Sequence, residues 1–145
     1  MFYEDLSRGK KGEAYVRNLM AARNHKVKDV SNNYSIGFDF YIDEKKCELK
    51  TDYKINESGN LFLEDYVRYS KGGYGAGWLR TCKADYLLYL DEKSGTLYIY
   101  SLNEIRTYLE QNYVPLRSLD DGYKTIFGYC LPHDTVRHQT IKRGN

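Results

Sequence analysis

The chain is poor in cysteine, in long apolar runs and in net charge, and each shortage removes a class of protein. Its 145 residues hold three cysteines, Cys47, Cys82 and Cys130, an odd number at wide spacing with no CxxC pair. That argues against a disulfide framework and against zinc spacing, and for free thiols in a reducing cytoplasm. Cys47 and Cys130 stand in apolar, strand-like runs and are expected in the core. No apolar stretch approaches the ~20 residues that span a membrane. Met1-Phe2-Tyr3-Glu4-Asp5 has no basic segment followed by an apolar one, so no secretory signal is expected. Nothing repeats, and no segment is of low complexity. The 22 basic residues nearly balance the 20 acidic ones, for a net charge of +2. Bulk charge therefore gives no nucleic-acid footprint, which would have to come from local clusters.

What is present suits a single domain over residues 1–145 with one core. The 16 tyrosines can stack on bases or fill a half-wet core, and the second use is the default. Residues 8–24 carry an apolar stripe of Tyr15, Leu19 and Ala22, supported by Val16 and Met20, and are expected to be helical. Asn24-His25 ends that helix, with His25 an exposed loop residue. Lys26 to Val30 alternates as a strand, and Ser31-Asn32-Asn33 turns. Ala84 to Leu90 reads as a buried central strand with a partner over 96–100. Ser101-Leu102-Asn103-Glu104 is a capping box that opens a helix over about 102–112, with Ile105, Tyr108 and Leu109 inward. Residues 124–131 suggest a final strand, and the basic tail from Arg137 to Arg143 is either a frayed terminus or a backbone contact. The result is an α/β chain, a mixed central sheet flanked by helices.

The informative segment is Gly37-Phe38-Asp39-Phe40-Tyr41-Ile42-Asp43, then Glu44-Lys45-Lys46, then Cys47-Glu48-Leu49-Lys50-Thr51. Two apolar runs around a charged turn predict a β-hairpin. Glu48 and Lys50 fall on one face, and Cys47, Leu49 and Thr51 on the other. A two-residue loop at Glu44-Lys45 pairs Tyr41 with Glu48 and sets Asp39 opposite Lys50, on the Glu48 face. Opposite pairs lie roughly 5 Å apart and diagonal ones about 7–8 Å. Two carboxylates so placed can hold one hard divalent cation, Mg²⁺ or Mn²⁺, with an ammonium beside it. Phe38, Phe40, Ile42 and Leu49 would anchor the reverse face in a core. The plainer alternative is a surface hairpin with solvated charges. Glu13, on the opening helix, is either the i,i+4 partner of Arg17 or a further carboxylate reaching the cluster. Asp52 continues the Glu48 face as a partner of the pair or as a solvated charge.

The order Glu13 … Asp39 … Glu48-x-Lys50 resembles the PD-(D/E)XK nuclease superfamily, which includes restriction endonucleases, Holliday-junction resolvases and phage recombination nucleases. The resemblance covers roughly residues 8–90, and it departs from the pattern where Phe38, not proline, precedes the first aspartate. It implies a restriction-endonuclease-like fold and metal-dependent hydrolysis of phosphodiesters, most naturally in DNA and of a branched or recombination structure, often by a homodimer. Asp39 and Glu48 would hold the metal, with the Leu49 carbonyl as an extra ligand. Lys50 would assist the attacking water, and Glu13 would support the site. The compact single-domain form resembles phage enzymes acting in a host cytoplasm.

Residues 68–83 gather four glycines within six positions among cations and aromatics. No Gly-Lys-Ser/Thr ends the run, which excludes a P-loop. It is read as a mobile loop facing the substrate; the plainer alternative is a flexible loop entering a helix at Gly77-Trp78, with Trp78 and Leu79 packed inward. Arg68, Lys71, Arg80 and Lys83, together with Arg17, are the expected nucleic-acid contacts. A competing reading keeps the scaffold but drops catalysis, leaving a nucleic-acid-binding or protein-interaction domain.

Overall fold

A computed structural model describes residues 2–142, and the side chains of residues 8–142; Met1 and Arg143 lie outside the described residues. Helix α1 (Phe2–Ala22) starts earlier than its apolar stripe predicts and stops at Asn24, whose φ of 66° is left-handed. Then follow β1 (Val27–Asp29), β2 (Phe40–Ile42), β3 (Lys45–Asp52), α2 (Ile55–Ser58), β4 (Asn60–Tyr69), β5 (Tyr74–Ala76) and α3 (Trp78–Thr81). The chain continues as β6 (Tyr86–Asp91), β7 (Thr96–Ser101), α4 (Leu102–Gln111), β8 (Leu116–Asp120), β9 (Lys124–Pro132) and β10 (Gln139–Ile141). Among the described residues no helix is long and apolar enough to cross a membrane.

The strands form two sheets rather than one. The larger is mixed, in the order β1-β2-β3-β6-β7-β10, with β3 and β6 its parallel pair. The smaller is antiparallel, in the order β5-β4-β9-β8. The α/β class expected from the sequence is therefore present, but the second sheet was not expected. Strand β6 is central and buried, as its apolar run predicts. One face of the large sheet packs Phe40, Ile42, Cys47, Leu49, Leu88 and Leu90 against Val16 and Met20 of α1. The other face packs Leu87, Tyr89 and Tyr100 against Leu61, Leu63 and Leu131 of the small sheet and Ile105 of α4. Phe38 joins this second core, contrary to expectation, because strand alternation stops at the start of β2. Cys47 is buried as expected, whereas Cys130 is half-buried. Helix α4 is capped as predicted, the Glu104 N–H donating to Ser101 Oγ over 3.3 Å. The Glu104 carboxylate leaves the box and pairs with Arg137 of the tail instead.

Parallel neighbours need a long crossover. Here residues 53–85 leave β3, build β4, β5 and α3, and return as β6. This crossover absorbs most of the segment read as a mobile loop. Residues 74–76 pair with 66–68 as a hairpin arm, and Gly72 and Gly73, with φ of 105° and 89°, turn the corner. Glycine is required at Gly77 for a different reason. A Cβ there would sit 2.2 Å from the backbone oxygen of Glu64, so α3 lies directly on β4. Gly77→Ala is expected to cost about 2–3 kcal/mol by overpacking, lowering Tm by roughly 5–10 °C in thermal unfolding followed by circular dichroism. An unchanged Tm would mean that the α3–β4 contact relaxes freely.

Candidate active site

The motif hairpin turns one residue earlier than expected. Asp43 and Glu44 adopt φ of 50° and 69°, the left-handed pair of a two-residue turn. The register is Phe40↔Cys47, Tyr41↔Lys46 and Ile42↔Lys45, two residues away from the expected pairing. An even shift preserves the faces. Asp39 thus remains on the Glu48 side, but it now lies beside Glu48 rather than opposite Lys50. Its N–H donates to the Cys47 carbonyl over 3.0 Å.

Strand β2 covers only the first residues of β3. From Glu48 onward that edge of β3 has no strand neighbour, and here the site opens. The Leu49 N–H, left without a ladder partner, donates to Asp39 Oδ2 over 2.8 Å. The amide and carbonyl of one strand residue point to the same side. The Leu49 carbonyl therefore faces the open edge as well, where the sequence reading wants a ligand.

Helix α1 delivers Glu13 to this edge because Gly12 allows close approach. A Cβ on Gly12 would lie 2.2 Å from Thr51 Oγ1 of β3. Glu13 Oε2 accepts from Ser31 Oγ at 3.2 Å, and not from Arg17, which pairs with Asp29 at 3.0 Å. Arg17 is thus committed to β1 and is not among the residues lining the site. Glu13, Asp39, Glu48 and Lys50 all line one open cavity of about 350 Å³, together with Arg8 and Tyr53.

The electrostatics follow from crowding like charges in a half-dry place. Glu48 has a side chain only 13% exposed. Burial, and then the Asp39 charge and a hydrogen bond between the two carboxyls, push it up to about 8, against the lowering pull of Lys50. Burial and Asp39 likewise raise Glu13. Lys50 Nζ stands 3.6 Å from Glu48 Oε2 and 4.9 Å from the centroid of Trp78, the first residue of α3. The crossover thus supplies a ring that steadies the ammonium through its negative face.

Asp39 and Glu48 also line a second cavity of about 330 Å³, on whose walls lie Tyr34, Trp78 and Lys83. The acid pair therefore sits between two adjoining recesses. Lys83 is an exposed contact candidate, as expected. Arg80 is not free, because Asp65 holds it through Nε at 2.7 Å and Nη2 at 3.2 Å. Arg68 lies over the Phe127 ring at 5.3 Å and Lys71 is in the β4–β5 turn; neither lines the two recesses. Asp52 accepts from the Tyr89 hydroxyl at 2.5 Å, which makes it a strut between β3 and β6. His25 is half-buried and pairs with Asp43 at 2.6 Å, tying the end of α1 to the motif turn.

The sequence reading missed Arg8 and Tyr53. The Arg8 guanidinium lies 4.2 Å above the Tyr53 ring on the cavity wall. The one available signal was weak: Arg8 is five residues before Glu13, and Tyr53 three after Lys50.

Among the described residues no group of three His, Cys, Asp or Glu side chains is arranged to hold a metal. The donors that do fit a hard cation are two carboxylates and a main-chain carbonyl, the oxygen set of a site completed by water and substrate phosphate. Glu48 is half-buried beside the Asp39 charge, which raises its hold on a proton. No protein-family model matches the chain, and comparison with curated proteins and with solved structures returns no match either.

Proposed function

We propose that the chain is a nuclease of the PD-(D/E)XK type that hydrolyses phosphodiester bonds in DNA with Mg²⁺ or Mn²⁺. The observation that carries this is the convergence of Glu13 from α1, Asp39 from the bend before β2, and Glu48 and Lys50 from β3 on one open cavity. Four titratable groups in a cleft, two of them carboxyls raised by burial, Glu13 and Glu48, are what phosphoryl chemistry needs and what a stability role does not require. Asp39, Glu48 and the Leu49 carbonyl would hold the cation. When bound, it supplies polarisation of the phosphoryl oxygen and a more acidic water.

The protein's own groups do the rest. Asp39 is fixed by the Leu49 N–H through Oδ2, and the residue lines the cavity. Lys50, cradled by Trp78, presents its ammonium to the attacking water or to the charge that develops on the phosphate. Glu13, poised by Ser31, orients water on the helix side. Arg8 and Lys83, on the two recesses, offer cations to the flanking phosphates.

The competing reading is a non-catalytic binding domain, favoured by the structural use of Asp39 as acceptor for Leu49. One assay separates them. Labelled single-stranded, linear, flap and four-way-junction DNA are incubated with the protein in Mg²⁺, in Mn²⁺ and in EDTA. Cleavage of at least one substrate with either metal and none in EDTA is expected. No cleavage of any of them, with no divalent-metal binding by calorimetry, would sink the nuclease and leave the binding domain.

A further inference from the structure

The recess on the Lys83 side has a feature that phosphate chemistry does not use. Tyr34 lies on its wall and is 91% exposed, without a hydrogen bond, ring partner or cation of its own among the described residues. An exposed tyrosine is ordinary on a surface. This one sits on a hydrogen-bonded turn. Asn33 N–H donates to Val30 O at 2.9 Å, Ile36 N–H to Asn33 O at 3.2 Å, and Ser35 Oγ to Asn33 Oδ1 at 2.8 Å. Ile36 packs on the core, and Val30 N–H donates to Asp39 O at 2.9 Å. The turn that carries Tyr34 is thus bonded to the residue that carries the first carboxylate.

Lys83 lines the same recess. Its stem lies over Gly37, whose φ is +87° and where a Cβ would meet the lysine at 3.2 Å; its N–H donates to Gly37 O at 3.0 Å. No ion pair occupies it among the described residues. A flat aromatic face and a cation without an ion pair, both on the wall of the acid pair's recess, are the two elements of a single-strand subsite: a base stacks, and its phosphate is neutralised. The aromatic on the other recess is spoken for, because Arg8 covers one face of Tyr53.

We infer that Tyr34 is a stacking platform for an unpaired nucleobase, so that the site takes a strand with at least one unpaired nucleotide beside the phosphate at Asp39 and Glu48. The inference rests on the nuclease reading and names its substrate class. Bases inside an intact duplex are stacked on each other and cannot reach Tyr34. A single strand, a flap or a branch point can supply one.

The test is binding in EDTA, which needs no cleavage. Fluorescence anisotropy is measured with a labelled single strand and with a closed duplex that has no ends, for wild type, Tyr34→Ala, Tyr34→Trp and Lys83→Ala. Stacking predicts a loss of about 5–100-fold on the single strand for Tyr34→Ala, less than twofold on the closed duplex, and recovery with Tyr34→Trp. Lys83→Ala should weaken both substrates alike and reduce the salt dependence. An abasic position walked along the strand should mimic Tyr34→Ala at one register and not add to it. Because Tyr34 is exposed, its variants should keep the wild-type Tm. Binding that ignores Tyr34, or that falls equally on both substrates, overturns this inference and leaves the nuclease standing. Binding of neither substrate, with no metal-dependent cleavage, overturns both.

Discussion

Lys50→Ala is expected to lower metal-dependent cleavage by about 10²–10⁴-fold while leaving DNA binding within a fewfold of wild type. Among the described residues the ammonium meets Glu48 and the Trp78 ring, so its removal deletes no strand hydrogen bond. Loss of cleavage with a normal Tm and normal anisotropy would place Lys50 in the chemistry. Asp39→Ala, run beside it, should abolish cleavage too. It should also cost stability, because the Leu49 N–H loses its acceptor. A Lys50→Ala protein that still cuts at the wild-type rate would remove the lysine from the mechanism.

Glu48→Gln should act on two readouts at once. Cleavage should be lost with the anionic oxygen. Stability, measured by thermal unfolding in EDTA, should move the other way and only in one pH range. The folded carboxyl titrates at about 8, against 4.5 when unfolded. Between those values the folded state binds more protons than the unfolded one, so wild-type stability falls as pH rises. Below pH 4.5 both states hold the proton, and the variant gains nothing. Above pH 8 the whole penalty is present, on the order of 4 kcal/mol. The Tm of Glu48→Gln should therefore match wild type near pH 4.5 and exceed it increasingly up to pH 8–9. Mg²⁺ should close the gap by stabilising wild type alone. A Tm difference that is flat with pH would mean that Glu48 ionises as an ordinary surface carboxylate.

These expectations were partly legible in the residues. Elements whose signal is local came through: the stripe of α1, the apolar run of β6, the Ser101 cap of α4 and the face shared by Asp39, Glu48 and Lys50. The register of the hairpin did not, because Asp43-Glu44 is not a pair that advertises left-handed φ, yet both residues adopt it. The small sheet was hidden for a different reason. Its main pairing, β4 with β9, joins residues such as Leu61 and Leu131, and no local window contains both. Strand β8 is exposed along its whole length and so has no alternation to read. Side-chain commitments were the least visible. Arg17 with Asp29 and Arg80 with Asp65 are choices among many charges, made by the fold and not by spacing. Of the expected cations, the structure leaves Lys83 beside the acid pair.

The crossover from β3 to β6 also fixes an order of assembly. When β3 emerges during synthesis it can close its hairpin with β2 at once, since only two residues separate them. Its other edge must wait for β6, and the ring behind Lys50 must wait for α3. The small sheet is still incomplete then, because β4 is paired by β9, which comes after β6, β7 and α4. The two sheets are threaded through each other along the chain, so neither can be finished and stored while the other is made. The Asp39 and Glu48 carboxylates are therefore brought together before the α3 and β6 surroundings that close over them. A nascent chain holds the acid pair on a solvated hairpin until the whole crossover and β6 have followed it.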